Sequence, residues 1–346
     1  MSGCENGRAS GCENGRASGS EGDRVGSVEP FGARLRRAMD TRGPLCVGID
    51  PHAALLSAWG LGDDVAGLER FARTTVEALA GRVAVLKPQS AFFERFGSRG
   101  VAALERTVAD ARAAGALVLM DAKRGDIGST MAAYASTYLD PGSPLFSDAV
   151  TLSPYLGFGS LRPALDLAQA SGAGVFVLAL TSNPEGAEVQ RAAAADGRSL
   201  AQVVLDHIAR ENREDRKNRA HSGSSGSSGT SGTSGNGGNP PDPENPGGAG
   251  ARVLGSVGAV VGATLGDAGV DLLGVNGPLL APGIGAQGAT PADLPAVFGA
   301  AVGDVVPSVS RGILRHGPGA AALREAAERL SDEVRAAVGH RNEGFR

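Results

Sequence analysis

Short apolar runs alternate along this chain with longer stretches whose apolar residues recur at helical spacing. The runs fall at Leu45–Ile49, Val83–Leu86, Leu117–Met120, Ala149–Leu152 and Val175–Leu180. Each is nearly continuous, as strands buried on both faces are. Between them lie Val65–Leu79, Val101–Ala114, Thr130–Tyr138 and Leu161–Ala170, which read as amphipathic helices. Leu200–Arg213 follows the fifth run and gathers Leu200, Val203, Val204, His207 and Ile208 on one face. Three further runs, Ala259–Val261, Pro278–Ala281 and Val305–Val309, are each followed by a helical stretch, the last being Ala320–Val338. A short helix over Phe31–Met39 leads in. Eight strand–helix units predict an α/β fold, a single-domain (β/α)8 TIM barrel. A doubly wound open sheet is the competing arrangement.

Two segments break the rhythm. Ser2–Ala9 is repeated without change at Ser10–Ala17 in a polar stretch, so residues 1–27 are expected to be a disordered tail. A second low-complexity segment, about 214–250, is entered through the charged run Arg210–Arg219 and is rich in Gly, Ser, Thr, Asn and Pro. It is expected to be a disordered insert within one barrel domain, 28–346. Because it follows a helix and precedes a strand, it would hang from the end opposite the active face.

Composition narrows the function classes. A hydrophobic content of 42% supports a sizeable core, and 4% aromatics make that core mostly Ala, Val and Leu. The net charge of -4 gives no electrostatic footprint for nucleic acid or an anionic membrane. No apolar run reaches membrane-spanning length, and the start lacks a signal-peptide core. Cys4, Cys12 and Cys46 exclude a disulfide framework, and the histidines show no metal-ligand spacing. These features predict a cytoplasmic protein without a metal site.

The candidate chemistry lies where the predicted strands end, since barrel active sites are built at the strands' carboxyl ends. Polarity reverses after Met120, in Asp121-Ala-Lys123-Arg-Gly-Asp126. In an extended tail Asp121 and Lys123 leave the strand on one side. A surface salt bridge with Asp126 as a helix N-cap is the simpler reading of this stretch. The first strand ends in Asp50-Pro51-His52, the second in Lys87-Pro88-Gln89 and the fifth in Thr181-Ser182-Asn183. Asp50 suits either a sugar hydroxyl or a turn before Pro51. Lys87 and Lys123 with Asp121 and Asp126 would alternate in sign, which makes burying four charges tolerable and keeps Lys123 protonated.

The seventh strand ends in Gly283-Ile-Gly285-Ala-Gln287-Gly288, and the eighth runs into Ser310-Arg311. The glycines match a dinucleotide fingerprint, but that motif belongs in the first strand–helix turn of another fold. After strands 7 and 8 of a barrel, backbone N–H groups of such a loop and the Arg311 fork suit a phosphate.

Asp121-x-Lys123-x-x-Asp126-Ile127, with Lys87 before it and Thr130 after it, resembles the signature of the orotidine 5′-phosphate decarboxylases. Cys46–His52, Leu86–Phe96, Thr181–Pro184 and Pro282–Gly288 are similar to the bacterial type 2 branch. The resemblance implies decarboxylation of orotidine 5′-monophosphate (OMP) to UMP without metal or cofactor. It implies that Lys123 protonates C6, that Asp121 faces the substrate carboxylate, and that Lys87 holds the charges and the ribose. Asp50 would bind a ribose hydroxyl and Ser182 the pyrimidine edge. Gln287 and Arg311 would hold phosphate beneath a loop containing Gly283 and Gly285. It further implies a homodimer, in which Asp126 and Thr130 reach the partner's site. A magnesium-dependent phosphosugar group shares the Asp-x-Lys-x-x-Asp motif but needs an acidic metal ligand where Lys87 stands. A silent phosphate-binding barrel is the remaining alternative, and it has no use for a buried proton donor.

Overall fold

In the computed structural model, which describes residues 28–224 and 253–339, eight parallel strands follow one another around a closed barrel. They are β1 (Cys46–Ile49), β2 (Val85–Pro88), β3 (Leu117–Arg124), β4 (Ala149–Leu152), β5 (Gly174–Leu180), β6 (Val257–Val261), β7 (Leu279–Pro282) and β8 (Val305–Val309). β1 pairs with β8, Cys46 opposite Ser308 and Val47 opposite Val309. That pairing excludes the open sheet and bears out the (β/α)8 reading.

The two-residue period of a strand divides each run between two cores. Val47, Ile49, Leu86, Val118, Met120 and Val150 face outward and pack with the surrounding helices. Cys46, Val85, Leu117, Leu119, Ala149, Phe176, Val260, Leu280 and Val306 face inward and form a separate apolar plug. Helix Phe31–Arg42 closes the bottom of that plug through Phe31, Leu35, Ala38 and Met39. Phe31 meets Phe176 edge-on, with centroids 5.9 Å apart. Gly32 allows this close seat, because a β-carbon there would stand 2.2 Å from the Leu254 carbonyl oxygen. Arg34 pairs with buried Asp148, whose second oxygen accepts the Val118 N–H at 2.9 Å. The barrel interior is therefore filled from below.

The helices depart from the sequence pattern in two places. The helix after β5 spans Leu200–Ser224, so the start expected for the insert, about residue 214, falls inside a helix. Polar contacts replace the apolar stripe there: Arg162 pairs with Glu211, Gln169 donates to Asp215, and Arg219 pairs with Asp215. The expected helix after β6 is absent, and only a 3-10 turn, Leu273–Val275, intervenes before β7. Gly266 and Gly269 adopt left-handed φ of 65° and 66°, a backbone that ends any helical run between the two strands. The tail 1–27 and residues 225–252 of the expected insert lie outside the described residues.

Asn212 ties the long helix to the barrel. Its amide donates to the carbonyls of Val257 at 2.8 Å and Val275 at 2.9 Å, and its oxygen accepts the Val257 N–H at 3.1 Å. Asn212→Leu keeps the branched shape but strands three backbone groups, the buried Val275 carbonyl and the part-buried N–H and carbonyl of Val257, each costing about 1–3 kcal/mol. The variant is expected to lose at least ~3 kcal/mol in denaturant unfolding. An unchanged midpoint would show that solvent satisfies those groups. Among the described residues no helix is long and apolar enough to cross a membrane.

Candidate active site

The inward-facing positions that build the plug continue upward and change character. Two residues beyond Cys46, Val85, Leu119 and Ala149 stand Gly48, Lys87, Asp121 and Thr151, and two beyond the first three of those stand Asp50, Gln89 and Lys123. A cavity of about 590 Å³ opens at this end, lined by Asp50, Lys87, Asp121, Lys123, Thr151, Ser182, Gly283, Gln287, Ser310 and Arg311 among others. Strand parity thus puts apolar residues at the floor and charged ones at the mouth.

Asp121 is the centre of the charged cluster. Its Oδ2 lies 2.9 Å from Lys87 Nζ and its Oδ1 lies 2.5 Å from Lys123 Nζ. Thr151 Oγ1 also donates to Oδ1, at 2.9 Å. Lys87 and Asp121 are buried, whereas the Lys123 side chain is 45% exposed at the mouth. Burial pushes the Asp121 carboxyl up, but the two ammonium groups outweigh it and hold the carboxyl well below the usual carboxylate range. Burial likewise pulls Lys87 down, and the Asp121 and Asp50 carboxylates outweigh it, leaving Lys87 above the ordinary lysine value. Asp121 stays an anion and Lys87 a cation. Burial also pushes the Cys46 thiol up to about 12, so it stays neutral beneath them.

Three expectations change here. The backbone at Lys123 is not extended but left-handed, with φ 49°, a conformation that costs a residue with a β-carbon about 1–3 kcal/mol. The charge alternation within one chain runs Asp50–Lys87–Asp121–Lys123, extended by Asp50 beyond Lys87 and not by Asp126 beyond Lys123, and only three of these four are buried. Asp126, Thr130 and Gly285 do not line the cavity. Asp126 instead accepts the Ile127 N–H at 2.8 Å, and Ile127, not Asp126, is the N-cap of helix Gly128–Leu139. Beside them lies the segment after β4, where Ser153 N–H donates to the Arg124 carbonyl at 2.7 Å. This rim exposes Ile127, Tyr155 and Leu156 at 62%, 77% and 53%.

At the far side of the cavity stand Gln287 and Arg311. Arg311 is exposed and makes no ion pair among the described residues. The glycine loop is a tight turn rather than a ring of N–H groups aimed inward. The Gly285 N–H donates to the Ala289 carbonyl at 2.8 Å and the Gly288 N–H to the Gly285 carbonyl at 3.0 Å. Gly283, with φ 118°, has the Gln287 side-chain oxygen 3.2 Å from where a β-carbon would stand. The loop thus presents side chains, Gln287 first.

Asp50 Oδ1, Ser182 Oγ and Ser310 Oγ are buried polar atoms without a hydrogen-bond partner among the described residues, and all three residues line the cavity. Buried polar groups are nearly always satisfied, so three orphans converging on one space mark it as a binding site. Thr151, Ser310 and His52 were not singled out by the sequence reading. Parity could have found the first two, each lying two residues beyond an inward position of its strand. His52 meets Phe92 edge-on, with centroids 4.4 Å apart.

A family model, described as orotidine 5′-phosphate decarboxylase / HUMPS family, matches residues 43–326. The chain belongs to that family. Within it, a Streptomyces coelicolor protein named orotidine 5′-phosphate decarboxylase is 66% identical over 311 residues, which covers 90% of this chain and 99% of that one. A Salinispora arenicola protein of the same name is 60% identical over 311 residues, with the same coverage. Among solved structures, one described as a candidate orotidine 5′-phosphate decarboxylase of Streptomyces avermitilis matches with a TM-score of 0.78 and 66% identity. It covers 90% of this chain and 97% of that chain. A Leishmania donovani OMP decarboxylase matches with a TM-score of 0.63 and 29% identity, covering 90% of this chain and 99% of its own. In this decarboxylase family member the Asp-x-Lys-x-x-Asp motif spans the end of β3 and the turn that follows.

Proposed function

We propose that this chain catalyses decarboxylation of OMP to UMP and carbon dioxide, the last step of de novo pyrimidine nucleotide synthesis, with Lys123 as the proton donor. The observation that carries the reading is Asp121, an anion clamped between Lys87 and Lys123 at the edge of a cavity whose other end holds Arg311. The substrate carboxylate lies against Asp121. As the bond from C6 to the carboxylate breaks, carbon dioxide leaves and the electron pair stays on C6. The ammonium of Lys123 stabilises that pair and donates a proton to it. Charge therefore moves from a position beside Asp121 to one beside Lys123, and a field fixed in advance favours the transition state over the ground state. Its exposure lets Lys123 regain a proton from solvent.

The remaining cavity groups divide the nucleotide. Asp50 takes a ribose hydroxyl, Ser182 the pyrimidine edge, and Gln287 with Arg311 the phosphate. The unsatisfied polar atoms of Asp50 and Ser182, and the place of Gln287 and Arg311 at the far side of the cavity, support this division. Binding the remote phosphate supplies energy that orients C6. Lys87 stands where a magnesium-dependent relative needs an acidic ligand, so no metal enters the reaction. The test is the loss of OMP absorbance with purified protein in EDTA. Turnover in EDTA supports the reading. Activity absent in EDTA and restored by magnesium would assign the metal-dependent chemistry, and tight UMP binding without turnover would leave a silent barrel.

The same reading includes a homodimer with Asp126 and Thr130 serving the partner's cavity. Their position outside their own cavity and the exposed Ile127, Tyr155 and Leu156 beside them support it. A shared site predicts complementation. Lys123→Ala and Asp126→Asn should each be inactive alone, while mixing them restores activity, because one of the two sites in a mixed dimer draws both groups intact. A mixture as inactive as its components, with subunit exchange verified, would sink the shared site.

A further inference from the structure

We infer that Thr151 is a positioning residue for the reaction, fixing through one hydroxyl both the Asp121 carboxylate and the backbone that carries Lys123. The inference rests on the reading of Lys123 as proton donor.

Between β3 and β4 the register shifts: Met120 lies opposite Val150 and Arg124 opposite Leu152. Residues 121–123 of β3 therefore face Thr151 alone. A bulge of this kind removes the ordinary backbone partner of the bulged strand. The Thr151 side chain supplies it instead: Oγ1 accepts the Lys123 N–H at 3.0 Å and donates to Asp121 Oδ1 at 2.9 Å. Neither direction can reverse, because an amide only donates and an ionised carboxylate only accepts. The hydroxyl has one proton, and it is committed to Asp121. Thr151 is 1% exposed, so water does not readily substitute for it.

The geometry at Lys123 gives this bond its consequence. A lysine at φ 49° persists only where its surroundings over-determine it. From that backbone the side chain turns back so that Nζ lies 2.5 Å from the same Asp121 Oδ1 that Thr151 holds. One hydroxyl thus sets the origin of the lysine and the rest position of its ammonium. Without it the pair can still form, but Oδ1 is held by the mobile Lys123 ammonium alone, so the carboxylate can turn and the bulge relaxes. A shift of about 1 Å in a reacting group costs on the order of 100-fold in rate.

The test compares Thr151→Val, Thr151→Ala and Thr151→Ser with the full-length wild type and Lys123→Ala. Val and Ala are expected to lower kcat about 10- to 100-fold, with KM for OMP and the affinity for UMP nearly unchanged. Ser, which keeps the hydroxyl, restores kcat to near the wild-type value. The charged and titratable groups around Asp121 are Lys87 from β2, Lys123 from β3 and Cys46 from β1, with Asp50 beside Lys87 and His52 at the mouth. All of these remain in every Thr151 variant. Wild-type kcat in Val or Ala beside an inactive Lys123→Ala would overturn the inference alone. So would a loss that Ser does not rescue, or one that falls on KM as much as on kcat, since either marks a packing role. Full turnover by Lys123→Ala would overturn the proton-donor reading and this inference with it.

Discussion

Lys123→Ala is expected to lower turnover of OMP by about 10³- to 10⁴-fold, the upper part of what a positioned general acid contributes. The loss falls on kcat, because Asp50, Ser182, Gln287 and Arg311 still offer their groups to the nucleotide. UMP affinity should therefore change little, and single-turnover rates beside UMP titration measure the two separately. Stability should hold as well. The Lys123 side chain is 45% exposed, and Asp121 keeps Lys87 at 2.9 Å and Thr151 at 2.9 Å when it is removed. An exposed ion pair contributes only about 0–1 kcal/mol. Lys123→Arg separates charge from proton transfer, since a guanidinium keeps the cation but scarcely gives up a proton. Activity in the Arg variant near that of wild type would show that charge alone is required.

Lys87→Met is expected to act on the fold as strongly as Lys123→Ala acts on the rate. Lys87 and Asp121 are 6% and 8% exposed, and removing the lysine leaves a buried carboxylate short of its main partner. Breaking a buried pair in this way costs about 3–5 kcal/mol, and the remaining contacts of Asp121 with Lys123 and Thr151 favour the lower end. Denaturant unfolding of Lys87→Met beside Lys87→Met/Asp121→Asn measures it. The double variant should recover much of the loss, because it removes the stranded charge, while activity stays absent. Equal loss in both would assign the effect to packing around Lys87.

The pH dependence of that loss has a definite sign. Asp121 is held below its unfolded value, so its contribution is complete above the ordinary carboxylate value of about 4 and fades as pH falls through the folded value. Lys87 is raised, so its contribution is complete below the ordinary lysine value of about 10.4 and fades as pH rises through the folded value. In wild type the pair therefore stabilises evenly between those limits. The stability gap to Lys87→Met should narrow as pH drops below about 4, where protonation of Asp121 ends the need for a counter-ion. A gap that stays constant into acid would count against a charge effect.

Much of the molecule was legible from residue pattern because barrel strands obey simple local rules. Eight apolar runs announced eight strands, and the change of polarity at Asp50, Lys87 and Asp121 marked where each strand leaves the packed interior. The period of two then put Lys87 on the inward side of β2 and Asp121 on the inward side of β3, a property each strand's backbone carries by itself. Arg311 and Gln287 were legible from strand order, since the chain after β7 and β8 lies at the same mouth. By itself the sequence determined eight strand–helix units, the end that carries the chemistry and most of the charged groups there, while the β1–β8 pairing settled closure.

Only tertiary structure decided how those groups meet. The bulge opposite Thr151 depends on β4 as well as β3, so no local pattern in Leu117–Arg124 discloses the left-handed backbone at Lys123. Asp50 joins the charge alternation beside Lys87 because β1 lies beside β2, whereas the turn after Arg124 leads Asp126 out of its own chain's cavity. The helix continues to Ser224 past its apolar stripe because Arg162 and Gln169 of a neighbouring helix meet its acidic side chains. The stretch after β6 stays irregular because its two left-handed glycines outweigh the pattern of apolar residues around them. In each case the deciding contact joins segments far apart in the chain, or turns on a backbone angle that hydrophobic periodicity does not register.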